Sequence, residues 1–92
     1  MIKQEPDKNT IEKIILLFNK KNYSEALNLC ENILDQYPDS ILVNNITGVI
    51  YSELENYTLA KNLFIKVLSL NPKYNDGYYN LANIHNKLGE EE

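Results

Sequence analysis

The chain repeats itself at a fixed offset of 34 residues. Asn22 to Ser40 and Asn56 to Tyr74 align without a gap. Asn22, Tyr23, Ala26, Asn28, Leu29, Leu34 and Pro38 recur as Asn56, Tyr57, Ala60, Asn62, Leu63, Leu68 and Pro72, where chance would give roughly one or two matches. Cys30 aligns with Phe64, and Ile33 with Val67. A period of this length marks a supersecondary unit that stacks on its own copy to complete a shared core. Function is then expected on a surface that stacking creates, rather than in a buried catalytic pocket.

Ninety-two residues supply one small domain with one modest core. The net charge of −4 opposes a nucleic-acid surface or an anionic membrane, because an acidic patch cannot displace their counterions. All nine basic residues are Lys. Without Arg, the planar fork that best recognises phosphate, carboxylate or guanine is missing. Cys30 is the single cysteine and His85 the single histidine, so neither an internal disulfide nor a cysteine/histidine metal site is expected. No cofactor is expected either, and a reducing, cytoplasmic setting is the expectation. The longest apolar run, Ile14 to Phe18, falls far short of the roughly 20 residues that span a bilayer. Residues 1–9 show no secretory signal and read as a polar lead.

Apolar spacing predicts five helices. Ile11, Ile14, Ile15 and Phe18 mark the first, with Asn9 or Thr10 as its expected cap. Tyr23, Ala26, Leu27, Cys30, Ile33 and Leu34 mark the second, which has Ser24 near its start and ends at Pro38. A third opens behind Asp39 and Ser40 and runs through Ile46, Val49, Ile50 and Leu54. The fourth carries Leu59, Ala60, Leu63, Phe64, Val67 and Leu68, then stops at Asn71 and Pro72. The fifth begins around Asn75 and Asp76 and continues through Tyr78, Leu81, Ala82, Ile84, His85 and Leu88 to Gly89. No stretch alternates in the manner of a strand. Connections of about three to five residues force neighbouring helices antiparallel.

These residues resemble the tetratricopeptide repeat, a helix-turn-helix unit. The best match is 41–74: Gly48 and Tyr51 in its first helix, Tyr57 and Ala60 entering its second, Phe64 and Val67 within it, and Pro72 in the exit turn. Residues 7–40 give Leu17, Tyr23, Ala26, Cys30, Ile33 and Pro38 at equivalent positions, but Ile14 stands where Gly48 does, so the first helix reads as degenerate. Residues 75–89 resemble the first helix of a third unit through Tyr78, Leu81, Ala82 and Gly89. One domain over 10–89 is expected, followed by an acidic tail at 90–92. The resemblance implies an all-α, right-handed α-α superhelix. Gly48, Ala60 and Ala82 are the expected sites of close helix approach, with tyrosines and Phe64 filling the gaps between paired helices.

Such repeats usually bind peptides on a concave face lined by the first helix of each unit. The resemblance places there Lys8, Ile11, Ile15, Phe18 and Asn19, then Leu42, Asn45, Val49, Ser52 and Glu53, then Asp76, Tyr79, Asn80, Asn83, Asn86 and Lys87. Amides there can serve an extended backbone, and the apolar side chains can receive those of a ligand. One branch of the family grips the C-terminal carboxylate of chaperones with Lys, Asn and Arg. Here those positions hold Ile11, Ile15, Ile46, Asp76 and Asn80, so no chaperone-tail binding is expected.

The expectation is thus a non-catalytic module that presents a groove to a protein or peptide. No nucleotide loop, catalytic triad or metal cluster can be assembled from these residues. The alternative, by family analogy with bacterial chains, is a substrate-recruiting N-terminal piece of a larger glycosyltransferase- or sulfotransferase-like enzyme. An unpartnered fifth helix, with Tyr78, Leu81 and His85 on its open side, would also favour a homodimer.

Overall fold

The computed structural model describes residues 5–89; residues 1–4 of the lead and the acidic tail at 90–92 lie outside them. Five helices follow one another: α1 (Lys8–Asn19), α2 (Tyr23–Gln36), α3 (Ile41–Glu53), α4 (Tyr57–Leu70) and α5 (Asn75–Leu88). There is no strand among the described residues. Both ends of α4 lie 34 residues after those of α2. The sequence repeat is therefore a repeat of structure.

The turns repeat as well. Lys21 and Glu55, equivalent by the same offset, both adopt the left-handed conformation at φ 63°. After α1, Lys21 N–H donates to Phe18 O and Asn22 N–H to Leu17 O, each at 2.9 Å. After α3, Glu55 and Asn56 donate to Ser52 and Tyr51 in the same pattern at 3.0 and 2.8 Å. This double bond across a left-handed residue satisfies the last carbonyls of a helix and reverses the chain. Gly89, at the end of α5, is also left-handed at φ 73°, and its N–H donates to Asn86 O at 3.2 Å.

Capping departs from expectation at the start of the first unit. Asp7, not Asn9 or Thr10, caps α1, its carboxylate accepting from Thr10 N–H at 2.8 Å. An acceptor must precede the first turn to reach the third amide, and Asn9 and Thr10 already lie within the helix. Ser24 likewise lies inside α2, whose N-cap Asn22 makes no side-chain bond, and α5 starts from Tyr74 without one.

Ser40 caps α3 as expected, and the polar lead completes that cap. Val43 N–H donates to Ser40 Oγ at 3.0 Å, while Ser40 Oγ itself donates to the Glu5 carboxylate. Ile41 N–H donates to Glu5 at 2.8 Å, and Leu42 N–H at 3.5 Å. With Ser40 N–H bonded to Tyr37 O, all four otherwise orphaned amides of α3 have partners. Pro6 is buried beside this contact. Burial, then Asp76 and Glu5 nearby, raises the Tyr74 phenol above its ordinary pKa.

The molecule measures 39 × 31 × 18 Å, and the short dimension is two helix diameters deep. α1, α3 and α5 form one layer, α2 and α4 the other. Ile14, Ala26, Cys30, Ile33, Val43 and Ile50 make one core between α1, α2 and α3. Ala60, Phe64 and Ile84 make a second, joined by Val49, Tyr51, Tyr57 and Leu81. α3 contributes to both. A Cβ on Gly48 would lie 2.6 Å from Phe64 Cε1, so the close approach expected there is real. Ala60 is fully buried.

Ala82 does not fit its expected role. It is exposed, because the helix it would meet in a full third unit is not among those described. The close contact of α5 is made instead by Gly77, where a Cβ would stand 2.9 Å from Leu68. Leu54, read as part of the α3 core face, sits past the helix end and is exposed. Leu59 is exposed too.

Candidate functional site

α1 touches α3 and α3 touches α5, whereas α2 and α4 do not meet. A stack whose first layer is close-packed and whose second is splayed curves towards the first. The α1–α3–α5 layer is the more closely packed of the two, and it is the layer in which the repeat resemblance put the groove.

On this face Ile15, Phe18, Ile46 and Val49 line an apolar depression of about 100 Å³. Ile15 and Phe18 are one turn apart on α1, and Ile46 and Val49 one turn apart on α3, so each pair shares a helix face. Three of the four are expected groove residues; Ile46, expected on the apolar face of its helix, is also one of the positions compared with the chaperone-tail-binding branch. It is partly buried against the first core cluster while its remaining surface joins the depression. An open apolar position one turn from Val49 was the signal for it.

The other expected residues take different places. Ile11 packs against the first core cluster and contributes little to the face. Asn45 is only 9% exposed and accepts from Asn80 Nδ2 at 3.0 Å, a bond that ties α3 to α5. That bond uses Asn80 Nδ2 and Asn45 Oδ1, and the other polar atom of each amide, Asn80 Oδ1 and Asn45 Nδ2, takes no part in it. Leu42 is half exposed beside the Glu5 cap, Tyr79 stands 69% exposed, and Asn83 and Asn86 are exposed along α5. The structure thus brings Ile15, Phe18 and Val49 into one depression and couples Asn45 to Asn80. It does not bring Ile11, Leu42, Asn83 or Asn86 into that depression.

One end of the depression is acidic. Glu53 follows Val49 by one turn, and Tyr23 O–H donates to its carboxylate at 3.3 Å. The Tyr23 ring lies tilted against Phe18 with centroids 5.6 Å apart. Burial, then the facing carboxylate, raises the Tyr23 phenol. Tyr23, expected to fill space between helices, also holds a carboxylate one turn from Val49.

A larger cleft of about 360 Å³ opens on the far side between α2 and α4, lined by Glu31, Leu34, Thr47, Tyr51, Leu59, Asn62, Leu63 and Lys66. Its charged groups are engaged: Tyr51 O–H donates to Glu31 at 3.2 Å, and Lys66 Nζ to Pro38 O at 2.9 Å. Pro72, the copy of Pro38 at the 34-residue offset, also offers its carbonyl, which accepts from Tyr78 O–H at 2.7 Å. Cys30 is fully buried, and burial pushes its thiol up despite a hydrogen bond with Thr47, so it is held protonated in the core. Among the described residues no group of three His, Cys, Asp or Glu could hold a metal ion. No helix among them is long and apolar enough to cross a membrane.

Two family models, each described as a tetratricopeptide repeat, match residues 13–40 and 44–74 and together span more than half of the chain. No curated protein and no solved structure matches it.

Proposed function

The chain belongs to the tetratricopeptide-repeat family, whose repeats are protein-interaction modules, and from that premise we propose that its α1–α3–α5 face is a non-catalytic docking groove for an extended segment of a protein partner. The observation that carries this reading is an open apolar depression beside an amide pair whose mutual bond leaves out one donor and one acceptor. An extended residue offers one backbone N–H and one C=O, which is what Asn80 Oδ1 and Asn45 Nδ2 complement. Its side chain would enter the space between Ile15, Phe18, Ile46 and Val49. An acidic chaperone tail is not the ligand of this groove, because the positions that would grip it hold Ile11, Ile15, Ile46, Asp76 and Asn80.

Partners captured by the full chain would be compared with those captured by a variant carrying Phe18→Ala, Val49→Ala and Tyr79→Ala. Groove anchors cost at least about 1 to 2 kcal/mol each on truncation, so loss of the partners is expected. Undiminished capture by the triple variant would place binding elsewhere.

A second reading is favoured by α5, where Tyr78 is 51% exposed and Ala82 lies open next to it. A small residue beside an aromatic lets a second α5 approach closely, and a homodimer would cover both. Light scattering over a concentration series should then show mass rising with concentration, and Tyr78→Glu should abolish the rise. A constant monomer mass would remove this reading.

A further inference from the structure

Along α3 the depression on the concave face is followed by a carboxylate. Val49 forms its α3 wall, and Glu53 lies four residues on, about 6 Å further along the helix axis. The Glu53 carboxylate is steadied by Tyr23 and meets no lysine among the described residues. On α1, Lys8 faces Glu12 at 4.0 Å, so the charge of that lysine is already opposed. Lys87 stands at the far end of α5, three turns from Asp76. The chain as a whole carries −4.

An extended ligand places side chains of residues i and i+2 on one side, about 6.6 Å apart. That spacing is close to the about 6 Å of helix rise that separates Val49 from Glu53. We propose that the groove selects a segment carrying one apolar side chain and, two residues away in either chain direction, a lysine or arginine. The apolar side chain fills the space between Ile15, Phe18, Ile46 and Val49, and the cation pairs with Glu53. The intervening residue points away and is unspecified. This rests on the docking-groove reading above and assigns its ligand the opposite charge to the acidic tails bound by one branch of the family. Tyr23 acts as a positioning residue, holding the carboxylate at the rim and preventing it from folding over the depression.

The probes are terminally blocked seven-residue Ser/Gly peptides. One carries leucine and lysine two residues apart; in the others lysine is replaced by glutamate or serine, or moved next to leucine. Each is titrated into the full chain while amide shifts of α1 and α3 are followed. The lysine peptide should bind about tenfold tighter than the glutamate one and about two- to fivefold tighter than the serine one, with its advantage shrinking as salt is raised. The adjacent-lysine peptide should lose that advantage. Glu53→Gln should bring the lysine and glutamate peptides within about twofold and leave the serine peptide unchanged.

Equal or tighter binding of the glutamate peptide, an undiminished preference in Glu53→Gln, or an adjacent lysine that serves as well would each overturn the proposal. If binding is indifferent to charge yet falls with Val49→Asp, the groove stands and its selectivity for a cation does not. If no peptide binds at millimolar concentration, or if Val49→Asp changes nothing, the groove reading falls together with the proposal.

Discussion

In the first repeat unit, Ile14 of α1 and Cys30 of α2 occupy the positions that Gly48 of α3 and Phe64 of α4 hold in the second. All four are buried. One unit places the large side chain on its first helix and the small one on its second; the other does the reverse, with the Phe64 ring reaching to where a Gly48 Cβ would be. Taken alone, Ile14 looks like a decayed glycine position. Paired with Cys30, it is an exchange of volume across one interface, which close-packed interiors tolerate better than a change at either side. Within this chain the two units thus fill equivalent positions with the volume divided in opposite ways.

Converting the second unit towards the first is the strongest way to break this comparison. Phe64→Cys alone should cost about 3 kcal/mol in denaturant unfolding, since it empties space that Gly48 cannot fill. Gly48→Ile alone should cost about 1–3 kcal/mol through collision with Phe64. The double variant should lose clearly less than the two costs combined, with a coupling of at least about 1 kcal/mol. Strict additivity would mean that the two pairs are not equivalent solutions.

The units differ next in how their first helices begin. α1 is capped by Asp7, its own neighbour, and α3 by Ser40 with Glu5 from the other end of the unit. Glu5→Ala should destabilise by about 1 kcal/mol, the ordinary cost of a lost cap. An unchanged melting temperature would show the contact to be idle.

Lys21 and Glu55 offer a finer test, because both place a β-carbon in the left-handed region. Lys21→Gly and Glu55→Gly should each raise stability by about 0.5 kcal/mol, and by similar amounts if the turns are equivalent. The smallest effect belongs to Ala82, which is equivalent to Gly48 by the repeat yet exposed. Ala82→Leu should change stability by less than about 0.5 kcal/mol, and a larger loss would place Ala82 against another surface.

Much of the helical framework was legible because its signals are local and periodic. The apolar spacing of Tyr23 to Leu34 and its copy located α2 and α4, Ser40 announced α3, and Gly89 closed α5. Signals that depend on distant partners were not legible. Nothing near Glu5 says that it will cap a helix 35 residues later, and nothing near Gly77 says that Leu68 will lie against it. The depression was half legible for a related reason. Ile15, Phe18 and Val49 follow from the repeat register, but Ile46 divides its surface between core and groove, and periodicity assigns each residue only one side. Asn45 and Asn80 were placed on the right face, while the bond between them needed the relative height of α3 and α5.

The Glu5 clasp bears on how such a stack comes apart. Linear repeat arrays unzip from their ends, since each unit leans only on its neighbours. Here the beginning of the chain is fastened to the middle helix, so α1 cannot peel away without also stripping the cap from α3. Opening of the leading end is thereby made cooperative with loosening of the centre. α5 is tied to α3 differently, through the Asn80–Asn45 side-chain bond rather than through a cap, so opening at α1 uncaps the central helix whereas opening at α5 leaves that cap in place.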